Sequence, residues 1–314
     1  GAALFRLARR VRLRRRTRRP SRGALAWRAH LPAPGDPMDD RTSGALLSVL
    51  IPAYNEPATV ERAIWRVRSV PVRCEVIVVD DGSTDGTRDI LARLRDEGAV
   101  DTLVLHPRNR GKGAAVRTGI GHATGDLVVI QDADLEYDPH DYPRLMQPLL
   151  DGRADAVFGS RFLGDEHRVL YFWHRVGNGL LTLLSNMMTN VNLTDMETCY
   201  KMVRADLMKS LPLRCDRFGI EPELTALLAK AQARIWEVPV SYDGRRYAEG
   251  KKIGWKDGVA ALWHIARANL FAPRVPVYAP PARASREEVG AGIHIHPAPP
   301  PLSPAEPVPS QGVA

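Results

Sequence analysis

The chain has 314 residues and a formal charge of +8, long enough to bury one large core or two smaller ones. The excess charge is local: residues 1–20 hold nine arginines and no acid, leaving 35 basic against 36 acidic residues elsewhere. That near-neutral remainder gives no electrostatic case for a specific nucleic-acid partner, and three cysteines without a C-x-x-C pair argue against a disulfide framework and fit a reducing, cytoplasmic compartment.

Residues 1–44 are Arg-rich and then Pro/Gly-rich, so a disordered basic arm is expected, either attracted to anionic lipid or nucleic acid or an extension without a role. The basic start is not followed by an apolar h-region, and no uninterrupted apolar run reaches bilayer-spanning length. Neither a secretory signal nor a membrane span is therefore expected. A folded domain is expected over 45–271. Ser48–Ala53 reads as a buried strand leading into the loop Tyr54-Asn-Glu-Pro57, and Ala58–Val70 has helical spacing through Val60, Ile64 and Val67. Glu75–Asp80 is a second strand, closed by a turn over Asp81–Gly86 with helix-capping chemistry. A helix over Thr87–Glu97, a strand over Thr102–His106, and a helix over Gly113–Ala123 follow. The turn before that last helix, Arg108-Asn-Arg-Gly-Lys-Gly113, puts backbone N–H groups and Lys112 where a diphosphate would sit, although it lacks P-loop spacing.

Leu127–Ile130 is a short β-branched strand ending in Asp132, Asp134 and Glu136, spaced two apart. In extended backbone, residues i and i+2 share a side, so the first two carboxylates can converge. Crowded carboxylates repel unless a cation lies between them, and Mg²⁺ or Mn²⁺ suits oxygen ligands that leave positions open for phosphates. Read alone, D-x-D is more often a polar strand exit. Strands alternating with helices predict a mostly parallel, doubly wound α/β sheet, whose ligands bind beyond the carboxyl ends of its strands. Asn55, Glu56, Asp80, Asp81, Asp132 and Asp134 all fall at those ends.

In the second half, Val169–Arg175 and Leu180–Met188 are apolar helical segments, read as core or as a membrane-facing pair with Trp173 and Arg175 at headgroup level. Asp195 and Glu197 could supply a general base, or simply hold a loop. Leu224–Ala233 and Val259–Phe271 read as helices. Between them, Arg245 to Lys256 forms a basic loop around two aromatics, suited to phosphate or simply solvated. Residues 272–314 are Pro/Ala-rich and read as a disordered tail.

The ordered series I-P-A-Y-N-E, V-V-D-D-G-S-T-D-G-T, N-R-G-K-G-A-A-V-R-T-G and Q-D-A-D-L-E-Y-D-P resembles the family 2 glycosyltransferases, and within them the dolichyl- and polyprenyl-phosphate hexosyltransferases. The resemblance is strong from Ser48 to Gly164 and implies a GT-A fold, a Rossmann-like sheet with a nucleotide-sugar half (45–164) and an acceptor half (165–271). It implies an inverting hexosyltransferase that uses Mg²⁺ or Mn²⁺, a donor such as GDP-mannose or UDP-glucose, and a polyprenyl phosphate acceptor met at the cytoplasmic membrane face. Carried onto this chain, donor contacts fall on Pro52, Tyr54, Glu56, Asp80, Asp81, Lys112, Ala133 and Arg161. The metal falls on Asp132, Asp134 and Glu136, and the catalytic positions are Asp134, Asp195, Glu197, Arg246 and Lys251. Glu136 stands where some members have Gln, and Thr-Cys-Tyr-Lys at 198–201 replaces a common Ser-Gly-Phe-Arg. The competing readings are a hydroxyl acceptor with Asp195 as base, and a non-catalytic sugar-nucleotide scaffold.

Overall fold

The computed structural model describes residues 44–164, 171–244 and 255–280, by backbone alone at 255–257 and 259. The described chain up to Tyr278 belongs to one compact unit, and the chain from Ala279 divides off as a second. Strands β1 (Leu47–Ala53), β2 (Cys74–Asp80), β3 (Thr102–Leu105) and β4 (Leu127–Ile130) alternate with helices α1 (Val60–Arg68), α2 (Thr87–Asp96) and α3 (Lys112–His122). All four residues of β4 are buried, as a run covered on both faces requires. In α1, Val60, Ala63, Ile64 and Val67 form the inward stripe.

The second half adds α4 (Tyr142–Leu150), β5 (Ala156–Ser160), α5 (Phe172–Thr189), β6 (Lys201–Arg204), α6 (Ala205–Ser210), α7 (Ile220–Lys230), β7 (Ile235–Pro239) and α8 (Trp255–Leu270). The seven strands lie in the order β3-β2-β1-β4-β6-β5-β7. Pairing is parallel except on the two sides of β6, which runs against β4 and β5. The order reverses between β1 and β4, the crevice where such sheets bind ligands. Because β6 is reversed, the loop that enters it meets the same rim at which the other strands end. This single reversal brings Cys199 beside Lys112 and Asp132.

The expected mostly parallel α/β sheet is present, with several corrections. The two apolar segments around 172–188 form one helix, since no proline interrupts them and the glycines at 177 and 179 have open space around them. Helix α7 starts at Ile220, earlier than the expected Leu224, with Glu221 and Glu223 in the first turn where acids suit the helix dipole. Residues 272–278, expected in the tail, are docked. The Tyr278 backbone N–H donates to the Ala231 carbonyl at 2.8 Å and its hydroxyl reaches Asp206. An aromatic side chain with a satisfied hydroxyl offsets the cost of ordering a proline-rich strand of chain. The arm at 1–43, the tail beyond 280, Arg246 and Lys251 lie outside the described residues.

Asp155 illustrates how the second half is stapled. Only 2% exposed, it accepts from the Arg234 backbone N–H and from Nε and Nη2 of that side chain, joining the start of β5 to the start of β7. Burial alone would raise its pKa, but the Arg234 hydrogen bonds and charge hold the carboxyl below its usual range. Stability from such a group is present above its unfolded pKa and lost as pH falls through the lower folded value. Asp155→Asn should cost about 1–3 kcal/mol in urea unfolding at pH 7. The gap to wild type should close below about pH 4.

Candidate active site

One wall of the crevice is built by the loops after β1 and β2. Asn55 sits at φ 53°, and its side-chain oxygen accepts from the Thr84 N–H while its own N–H donates to Ser83 Oγ. The Glu56 N–H donates to Thr87 Oγ1, and the Glu56 carboxylate accepts from Thr59. The two loops are thus knitted, with Pro52 inside β1 and Tyr54 exposed at their edge. Asp80 is fully buried at the end of β2, and its Oδ2 accepts from the Gly82 and Ser83 N–H groups and from Arg88 Nε at 2.6 Å. Its Oδ1 is buried with no hydrogen-bond partner. A carboxylate oxygen left so is costly unless a donor arrives, and a nucleobase N–H or ribose hydroxyl is such a donor.

Asp81, expected at the nucleotide, is spent within the protein. Its carboxylate accepts from the Arg110 and Gly111 backbone N–H groups and pairs with His106 Nδ1 at 2.7 Å. It shapes the basic turn and so sets the start of α3. A Cβ on Gly82 would lie 2.5 Å from the Arg108 carbonyl carbon, so this close passage of the two loops needs glycine.

Lys112 begins α3 and reaches into the crevice, its Nζ 2.8 Å from Asp132 Oδ1 and 2.8 Å from Glu221 Oε1. Burial would depress this ammonium, but Asp132, Cys199 and Glu221 together hold its pKa well above the ordinary value. Asp134 follows Ala133, and its Oδ1 accepts from the Glu136 N–H. Glu136, expected as a third metal ligand, turns instead to the Tyr242 hydroxyl at 2.6 Å, and its carbonyl accepts from the Asp243 N–H. Among the described residues no three His, Cys, Asp or Glu side chains gather closely enough to hold an ion. Asp132 and Asp134 present carboxylate oxygens, the donor type a hard divalent cation takes, and these two residues would hold one here.

On the opposite wall, Asp195 has no exposure and receives Arg161 Nε and Nη2, each at 2.7 Å, besides the Arg161 N–H and Asn178 Nδ2. A carboxylate closed in a two-pronged pair cannot take a proton from a hydroxyl without breaking it. The same pair uses up Arg161, which also lies over the Tyr242 and Phe162 rings. The expected roles of Asp195 as base and Arg161 as donor contact therefore give way to an anchor.

Glu197 differs. Burial, then the charge of Glu221, pushes its pKa up to about 7 against Lys201 and Arg161. Its Oε1 and the Oε2 of Glu221 are buried without partners. Sequence reasoning missed three contributors. Lys201 is fully buried, donating from Nζ to the Met196 carbonyl at 2.8 Å and to the Thr198 carbonyl, under the Phe158 ring. Tyr242 latches Glu136, and the Tyr137 hydroxyl accepts from the Cys199 N–H. The replacement of Arg by Lys at 201 was the one visible signal.

Comparison with known proteins gives a consistent picture. The family model described as glycosyl transferase family 2 matches residues 48–211. The undecaprenyl-phosphate mannosyltransferase of Micrococcus luteus is 32% identical over 241 residues, covering 70% of this chain and 97% of its own. An undecaprenyl-phosphate 4-deoxy-4-formamido-L-arabinose transferase of Salmonella choleraesuis is 28% identical over 65% of this chain, and the match spans only 62% of that longer enzyme. Among solved structures, glucosyl-3-phosphoglycerate synthase from Mycobacterium tuberculosis, in complex with Mn²⁺ and UDP-glucose, is similar at 25% identity. It superposes with a TM-score of 0.54 over 74% of this chain and 81% of its own.

Two outcomes follow from the site. In Mn²⁺ titrations with a nucleoside diphosphate present, Asp132→Asn and Asp134→Asn should each weaken metal binding at least about tenfold. Glu136→Gln, which still accepts from Tyr242, should leave it within about threefold; an equal loss would make Glu136 a ligand. Because the folded Glu197 pKa lies above its unfolded value, ionisation costs stability progressively from about pH 4.5 to about 7. Glu197→Gln should therefore match wild type near pH 4 and exceed it by about 1–3 kcal/mol in urea unfolding at pH 8.

Proposed function

Since the chain belongs to glycosyl transferase family 2 and is thereby a glycosyltransferase, we propose that it moves mannose or glucose, with inversion, from a nucleotide diphosphate sugar to a polyprenyl phosphate. The observation that carries the reading is the convergence of Lys112, Asp132 and Glu221, from three separated stretches of chain, at one rim of the sheet. The acceptor class is supported by the likeness to the Micrococcus undecaprenyl-phosphate mannosyltransferase along nearly its whole length.

Asp80 Oδ1 receives a donor group of the nucleoside, and the knitted loops around Asn55 and Glu56 hold that wall rigid. Asp132 and Asp134 would hold Mg²⁺ or Mn²⁺, which supplies Lewis-acid stabilisation of the departing diphosphate. Lys112 adds a fixed positive charge beside Asp132, and its burial makes that charge count for more than it would in water. An acceptor phosphate oxygen forms the new bond to the anomeric carbon as the bond to the donor diphosphate breaks on the opposite face. A phosphate monoester, with a second pKa near ~6, is already anionic at neutral pH and needs no protein base. That fits a site in which Asp195 is closed by Arg161.

A second reading, transfer to a hydroxyl, is favoured by one observation: Glu197 has an unpartnered oxygen and a pKa suited to a base at neutral pH. The proposed setting is the cytoplasmic face of a membrane. Among the described residues no helix is long and apolar enough to cross one.

Incubation with labelled GDP-mannose or UDP-glucose, Mn²⁺ or Mg²⁺ and polyprenyl phosphate should give an organic-soluble product of inverted anomeric configuration, abolished by chelator and restored by metal. Glu197→Gln should keep most of that activity at pH 8. Transfer only to a soluble hydroxyl, lost roughly 100-fold or more in Glu197→Gln, would overturn the lipid-phosphate reading.

A further inference from the structure

Lys112 is pinned at both ends. Its backbone opens α3 between Gly111 and Gly113, where an added Cβ would collide with the Asp216 and Cys215 carbonyl oxygens. The Asp216 carbonyl also accepts the Ala114 N–H at 3.0 Å, and Arg117, further along α3, reaches the Cys215 carbonyl and the Asp216 carboxylate. Asp81 holds the same turn through the Arg110 and Gly111 N–H groups. At the tip, Nζ lies 2.8 Å from Asp132 Oδ1, 2.8 Å from Glu221 Oε1 and 3.5 Å from Cys199 Sγ. The side chain is only 14% exposed. The ammonium can neither withdraw with the helix nor swing out into water.

Asp132 therefore has two calls on it: it pairs with this ammonium, and with Asp134 it would hold the divalent cation. A free cation approaching the two carboxylates meets one that is already paired, with a like charge fixed beside it. In a partly dry crevice such a charge is weakly screened and repels strongly. A nucleoside diphosphate reverses the balance. Its complex with the cation carries net negative charge, which the same ammonium attracts.

We infer that Lys112 is a specificity-determining residue that makes the site reject a free divalent cation and accept the cation bound to a nucleoside diphosphate. The inference rests on the proposed metal assignment to Asp132 and Asp134. It goes beyond that assignment by giving one side chain opposite effects on two ligands. Glu221 supports the arrangement: it grips the ammonium with one oxygen, while its other oxygen is buried without a partner. Removing Lys112 thus leaves Glu221 in place and takes from Asp132 a charge that competes with the metal.

The test measures binding rather than turnover and uses the full chain. Mn²⁺ binding without nucleotide is read from the loss of the free-ion electron paramagnetic resonance signal. The affinity for GDP or UDP at saturating Mn²⁺ is read by calorimetry. Lys112→Met, similar in length and uncharged, should bind Mn²⁺ alone at least about tenfold more tightly than wild type. The same variant should bind the better nucleotide at saturating Mn²⁺ at least about tenfold more weakly. Lys112→Arg, which keeps the charge, should stay within about threefold of wild type in both. If circular dichroism shows Lys112→Met unfolded, Lys112→Met with Glu221→Gln removes the carboxylate left without its cation. That pair should still gain at least about threefold for Mn²⁺ alone.

Unchanged or weaker binding of Mn²⁺ alone in the uncharged variant overturns the inference and makes Lys112 a phosphate contact only. Wild type that binds no Mn²⁺ even with either nucleotide overturns the metal assignment and the inference with it. The expected affinities without any transfer to lipid phosphate would defeat the proposed reaction and leave the role of Lys112 standing.

Discussion

Negative charge crowded at one edge of a sheet is the constraint on which this molecule turns. Parallel strands end at the same rim, and here several of those ends carry carboxylates. Like charges at such spacing in a partly dry crevice repel strongly enough to shift protonation or break the arrangement. The protein meets the constraint with cations set among the acids: Arg88 on Asp80, Lys112 between Asp132 and Glu221, and Arg161 on Asp195. Asp81 is satisfied differently, by two backbone N–H groups and His106. After this pairing, the buried carboxylate oxygens left over among the described residues belong to Asp80, Glu197 and Glu221. They are the positions at which a ligand has most to contribute.

The topology explains why both walls of the crevice are acidic. Had β6 run with its neighbours, the loop carrying Asp195, Glu197 and Cys199 would have emerged at the far edge. Its reversal aims that loop at the rim carrying Asp132 and brings Lys201 beneath it, where the buried ammonium holds two carbonyls of the turn. Burial lowers the Lys201 pKa, so the turn is held at some electrostatic cost. Cations on this wall serve shape more than recognition.

How much of this could be read from residues alone divides after β4 and its acidic turn. Before it, short β-branched runs closed by Gly, Asn and Asp announce the strands, and acids at those closures announce the rim. After it, β6 is only four residues and includes a lysine, and β7 mixes Trp, Glu and Pro, so neither has a period to read. Residue types at the site were legible; partners were not. Asp81 and Asp195 look like free carboxylates in sequence because the groups that consume them, the turn at 110–111 and Arg161, lie 29 to 34 positions away. Glu136 fits a ligand spacing of two, yet a tyrosine 106 positions on claims it. Spacing along a strand predicts which side chains share a face, and long-range hydrogen bonds then decide which remain available.

The same reasoning links the acid rim to the apolar helix. Arg161, Asn178 and Asp195 form one polar cluster whose members come from the end of β5, the middle of α5 and the loop before β6. Buried polar clusters contribute little net stability, but they are unforgiving of altered geometry. A helix held by such a cluster has its rotation about its own axis set. Rotating α5 by one residue would move Asn178 off the pair and swing the exposed Trp173, Leu180 and Leu183 toward the core. The side chains that seem least connected to chemistry, Trp173 and Leu183, therefore face outward because a carboxylate at the acceptor wall needs its arginine and its amide.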